Sequence, residues 1–126
     1  MRGALVGLAA VLALLGATAS WAADRVSGRT LFKRHCAVCH VIRDDGRSSF
    51  GPNLSGVIGR TAGAVEGYPY SDALRASGLV WSEATLEPWI ANPSVLVPGT
   101  AMKFRGLADK DERTALIAYL VKAGQR

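Results

Sequence analysis

At 126 residues with a formal charge of +5, the chain has room for one domain and favours contact with acidic partner surfaces. Its basic residues are scattered, with no basic run interleaved with aromatics, which argues against nucleic acid as a partner. Its two cysteines, Cys36 and Cys39, would close a loop too small to staple a fold, so they need another explanation.

The chain opens with Arg2 and a nearly unbroken apolar run from Ala4 to Leu15, followed by Ser20 and Ala22 as a small-x-small cleavage signal. This predicts a secretory signal peptide over residues 1–22 and a mature domain over 23–126, with cleavage after Ala22 or, alternatively, after Ala23. An uncleaved membrane anchor is the competing reading, because the apolar stretch from Gly3 approaches bilayer-spanning length. The short apolar core and the cleavage segment behind it favour removal. What remains is about 100 residues, a size that buries only a modest share of its own surface. An enclosed apolar cofactor would enlarge that core.

From Asp24 to Cys39, Leu31, Phe32, Cys36 and Cys39 recur at helical spacing. Residues 40–71 carry Gly51-Pro52, Gly56, Gly59, Gly63, Gly67 and Pro69 and read as loops. Ser71 is placed to cap a short helix ending at Gly78. Ser82 is placed to cap the next, with Trp81 and Leu86 as a hydrophobic staple. Pro88 should kink or shorten that helix, and Asn92-Pro93 should end it. The last helix starts at Asp109, with Glu112 at capping-box spacing, and places Leu116, Tyr119, Leu120 and Ala123 on one face before Gly124 stops it. No segment alternates with a strand's period for long enough to make a sheet. The mature chain is therefore mostly helical, with an unusual share of loop.

Cys36-Ala37-Val38-Cys39-His40 is a C-x-x-C-H motif, the pattern of c-type haem attachment. Thiols at i and i+3 of a helical turn face the same way and can add to the two vinyl groups on one side of a porphyrin. The next residue, His40, is then carried under the ring centre, where an imidazole nitrogen can bind iron. A thioredoxin-like pair would require a strand–helix context in an α/β sheet, and a zinc site two more ligands where only His35 is on offer. Once the leader is removed, Met102 is the only methionine left. His35 adjoins Cys36 and is badly placed to reach the far side of a ring held there. Met102 follows the turn-forming Pro98-Gly99-Thr100, and its soft thioether suits low-spin haem iron and favours the reduced state. A core gap-filler is the alternative role for a lone methionine.

Taken together, the motifs resemble those of class I c-type cytochromes, the cytochrome c and cytochrome c2 branch. The resemblance runs from Gly28 to about Ala123. It is carried by Gly28-x-x-Leu31-Phe32, Cys36-x-x-Cys39-His40, Gly51-Pro52-Asn53-Leu54, Gly59-Arg60, Tyr70-Ser71-Asp72-Ala73, Trp81, Asn92-Pro93, Pro98-Gly99-Thr100-x-Met102-x-Phe104 and Leu116-Ile117-Ala118-Tyr119-Leu120. It implies an all-α cytochrome c fold, three to five helices and long loops wrapped around one covalently bound haem c. It further implies that Cys36 and Cys39 tether the haem, that His40 and Met102 ligate its iron, and that the Pro52 carbonyl orients His40. Arg60, Tyr70 and Trp81 would surround the propionates, Phe104 would shield the exposed haem edge, and Gly28 and Phe32 would meet Leu116 and Tyr119 where the terminal helices cross.

The chain departs from the family pattern at Trp89, where a Tyr often stands near the Met ligand, and at Leu74, often an Asn. The lysines usual around the haem edge are thinned: Ser94, Val95 and Ala101 stand there, with Lys103 and Arg105 nearby. The expected function is that of a soluble, periplasmic, monomeric one-electron carrier between redox partner proteins, not an enzyme and not membrane-bound after cleavage. The alternatives are a haem subunit of a larger oxidoreductase complex, or a haem peroxidase or ligand sensor with a dissociable Met ligand.

Overall fold

The computed structural model describes residues 25–125, so the leader expected over residues 1–22 lies outside the described residues. Five helices follow in order: α1 (Gly28–His35), α2 (Asp72–Ala76), α3 (Glu83–Ala91), α4 (Pro93–Leu96) and α5 (Lys110–Ala123). Among the described residues the only β pairing is an isolated antiparallel bridge between Thr61 and Val80. The fold is all-α, as the periodicity predicts.

Local chemistry sets the helix limits. α1 begins four residues into the 24–39 stretch that carries its apolar pattern, because the Ser27 hydroxyl accepts the Thr30 amide and fixes the first turn. It also stops at His35, with Lys33, Arg34 and His35 beside the negative end of the helix. The cysteine motif therefore lies in the turn beyond α1 rather than within it. That turn stays helical in its bonding: His40 N reaches the Cys36 carbonyl at 2.8 Å.

Ser71 caps α2, and Ser82 and Thr85 close a reciprocal capping box on α3. Pro88 does not shorten α3, which continues through it to Ala91. One lost donor is tolerated where Leu86, Trp89 and Ile90 are all buried around it. Asn92-Pro93 ends α3 as expected but also starts α4, with the proline at its first position, where its missing donor costs nothing. On α5 the Asp109 carboxylate accepts the Glu112 amide at 2.9 Å. The buried face of α5 is Leu116, Ile117 and Leu120, with Tyr119 at its margin.

α5 is the centre of the packing, meeting α1 on one side and α3 on the other. Gly28 permits the first crossing: a Cβ there would run into the Ala115 carbonyl and the Tyr119 side chain. Phe32 and Tyr119 then meet with ring centroids 5.5 Å apart. Leu31 and Leu116 are almost fully buried beneath them, each contributing roughly 1.5–3 kcal/mol by leaving water. Gly124 ends α5 with φ near −77°, so left-handed geometry is not its reason. Space is: its carbonyl accepts the Gly56 amide, and a Cβ would press on the Leu120 and Leu54 carbonyls. The tail of α5 thereby holds the loop that walls the site.

Candidate functional site

The loops and helices enclose a cavity of about 320 Å³, within the range of small-molecule and cofactor sites. Both cysteines, His40, Pro52, Arg60, Tyr70, Trp81, Met102 and Phe104 line it. Residues from Cys36 to Phe104 along the chain are thus brought to one space. The apolar side chains of Leu74, Leu86, Trp89, Ile90, Leu116 and Leu120 make up much of the remaining wall. Trp89 packs on Trp81 with ring centroids 5.2 Å apart, and both are buried. Leu74 is buried too and gives that side of the cavity an apolar side chain.

The turn after α1 presents Cys36 half-buried and Cys39 exposed, and neither is in a disulfide. Burial, with a smaller contribution from Cys39, pushes the Cys36 thiol up to about 11. His40 is buried and held from behind. Its Nδ1 lies 2.9 Å from the Pro52 carbonyl oxygen, so Nδ1 carries the proton and donates. Among the described residues no protein group bonds Nε2, which leaves that lone pair for an electrophile. Burial holds the imidazole below its ordinary pKa; the Pro52 bond opposes this and Arg60 adds to it. A neutral imidazole with a fixed tautomer is the form that ligates a metal.

The segment behind His40 is built by residues that sequence reasoning did not single out for this role. Asn53 is buried. It accepts the Arg43 and Ser55 amides through Oδ1 and donates to the Arg43 carbonyl through Nδ2. Tyr68 donates its hydroxyl proton to the Phe50 carbonyl at 2.5 Å. Gly51 N reaches the Cys39 carbonyl at 2.7 Å. The Gly-Pro-Asn sequence was the available signal for Gly51 and Asn53; nothing local marked Tyr68.

Arg60 donates to the Ser55 carbonyl (3.1 Å) and the Asn53 carbonyl (2.9 Å). Its Nε is buried without a hydrogen-bond partner, and no carboxylate pairs with it among the described residues. Burial pulls its pKa down, the mark of a cation short of a counter-charge. The Tyr70 hydroxyl accepts the Val65 amide and still has its own proton to give. Met102 is half-buried, its amide bonded to the Thr100 hydroxyl at 3.3 Å. Phe104 is half-buried beside the exposed His35, ring centroids 6.4 Å apart.

This donor set fits a haem c. Two thiols in one turn, an imidazole with a free Nε2, a soft thioether, a largely apolar wall and an orphaned guanidinium facing the same cavity match an apolar ring with two carboxylates and an iron centre.

Comparison with known proteins agrees. The cytochrome c family profile matches residues 26–124. The chain is 45% identical over 97 residues to cytochrome c of Gibberella zeae, covering 77% of this chain and 92% of that protein. It is 40% identical over 115 residues to cytochrome c2 of Rhodomicrobium vannielii, covering 86% and 91%. Cytochrome c of Theileria parva matches at 46% over 103 residues, covering 82% and 89%.

Proposed function

We infer that this chain, which belongs to the cytochrome c family, carries one covalently attached haem c and passes single electrons between redox partner proteins. When bound, the haem supplies an iron that changes oxidation state by one electron. Cys36 and Cys39 would hold it by thioether links, and His40 Nε2 and the Met102 sulfur would bind its iron. Arg60, Tyr70 and Trp81 would receive its carboxylates, and Phe104 would cover its edge.

The observation that carries this reading is the His40 arrangement. The ring is pinned at Nδ1 by Pro52, its Nε2 is free, and it shares a cavity with both thiols and the only thioether among the described residues. With His40 and Met102 both on the iron, no position would be left for a substrate, and the role would be that of a carrier and not an enzyme. A peroxidase or ligand sensor would need Met102 to leave.

Residues 1–22 would direct export to the periplasm and be removed, and the mature chain would act as a freely diffusing monomer. Among the described residues no helix is long and apolar enough to cross a membrane. The positive balance of the chain would steer encounter with acidic partners. Ser94, Val95 and Ala101 are exposed and uncharged, with Lys103 and Arg105 exposed nearby. Spectroelectrochemical titration of the purified protein tests the reading. It predicts one reversible one-electron transition, and an absent or multi-electron transition would contradict it.

A further inference from the structure

Met102 sits in the segment between α4 and α5, whose middle and trailing end are held differently. Ala101, Lys103 and Arg105 are exposed, and among the described residues the backbone between Thr100 and Gly106 gains only the Met102 amide bond to Thr100. The trailing end is docked on α3. Gly106, at φ +94°, lies against the Ala91 carbonyl so closely that no Cβ fits, and Leu107 N donates to the Ile90 carbonyl at 2.9 Å. Arg113, in the first turn of α5, completes the attachment. Its Nη1 donates to the Leu107 and Ala108 carbonyls at 2.7 and 2.8 Å, and its Nε donates to Glu87 Oε1 of α3 at 2.7 Å. The Arg113 side chain is 13% exposed and that of Glu87 38%.

We propose that Glu87 and Arg113 form a positioning pair for Met102, clamping the trailing end of its segment to the helix that walls the cavity. The proposal rests on the reading of Met102 as an axial ligand. The two carbonyls precede α5 and have no helical partner of their own, so a single guanidinium satisfies both and ties them to α3. Charge assistance makes these bonds stronger than neutral ones. The Glu87 carboxylate neutralises the largely buried cation. Without it, Arg113 gains by swinging to water and takes both carbonyl contacts with it. A second ion pair of α5 among the described residues, Arg25–Asp111, is 3.7 Å long and well exposed at both ends, and it joins α5 to Arg25, ahead of α1, instead.

The test is imidazole titration of the oxidised holoprotein, followed by the long-wavelength absorption of sulfur-to-iron ligation. The apparent affinity for imidazole scales with the fraction of molecules in which Met102 has left. Losing one charge-assisted clamp should raise the affinity of Glu87→Ala about tenfold. Glu87→Gln, which keeps a neutral acceptor and gives no reason to misfold, should fall between it and wild type. Asp111→Asn should match wild type. Gly28→Ala, destabilising at the distant α1–α5 crossing, separates clamping from general loosening. If the Glu87 variants stay within about twofold of wild type, or rise no more than Gly28→Ala does, the pair does not position Met102. If Met102→Ala itself leaves imidazole affinity unchanged, the ligand assignment fails and this proposal fails with it.

Discussion

Gly51 lies directly against the ring of His40: a Cβ at position 51 would stand 2.6 Å from Cε1 and 2.8 Å from Nδ1. The constraint is one of space and not of backbone conformation. The residue is buried, and its amide ties the loop to Cys39 while the next residue, Pro52, accepts from the same imidazole. Gly51→Ala must therefore displace either the ring or the carbonyl that orients it. Denaturant unfolding of the holoprotein should show a loss of about 1–3 kcal/mol, typical of overpacking a tight site. An unchanged midpoint would mean that the loop yields freely.

Met102→Ala removes the proposed soft ligand. The reduction potential should drop, on the order of 0.2 V given the range that axial ligands command. The oxidised protein should also take up exogenous ligands that the parent resists. An unaltered potential and spectrum would remove Met102 from the iron.

Arg60 tests the electrostatics of the cavity. A cation there favours the electron-rich state, so Arg60→Leu should lower the potential, on the order of tens of millivolts for one poorly screened charge. It should also destabilise the loop, because the Asn53 and Ser55 carbonyls lose their donor. Arg60→Lys keeps the charge and loses the fork, so it should restore more of the potential than of the stability. An unchanged potential in Arg60→Leu with the stability lost would place the role of Arg60 in packing alone.

How much of this was legible beforehand depends on whether the signal was local. Ser71, Ser82 and Asp109 announce their helices because a cap is read within three residues. Ser27 has the same chemistry, but it lies within the 24–39 stretch whose helically spaced apolar positions begin only at Leu31, so the pattern leaves the start of α1 unmarked. Asn92-Pro93 reads as a stop, yet proline at a first helical position serves equally as a start, and no further signal marks α4. At the site, C-x-x-C-H and the lone Met102 stand out by type and count. The Tyr68–Phe50 bond joins residues 18 apart and the Arg113–Glu87 pair residues 26 apart, and no periodicity or motif encodes such long-range partners.

Gly28→Ala addresses the scaffold apart from the site. The Ala115 carbonyl is helix backbone and cannot move aside, so the α1–α5 crossing must open. A loss of about 2–3 kcal/mol is expected in denaturant unfolding, with the reduction potential little changed. A comparable shift in potential would tie the crossing to the iron environment.

Absorption spectroscopy of the purified protein tests covalent attachment of haem through Cys36 and Cys39 most directly. Made in a host competent for haem attachment and then denatured under conditions that extract free haem, the chain should stay pigmented. Substituting both cysteines by alanine should abolish that retained colour. A colourless wild-type protein, or pigment that washes away on denaturation, would contradict the account.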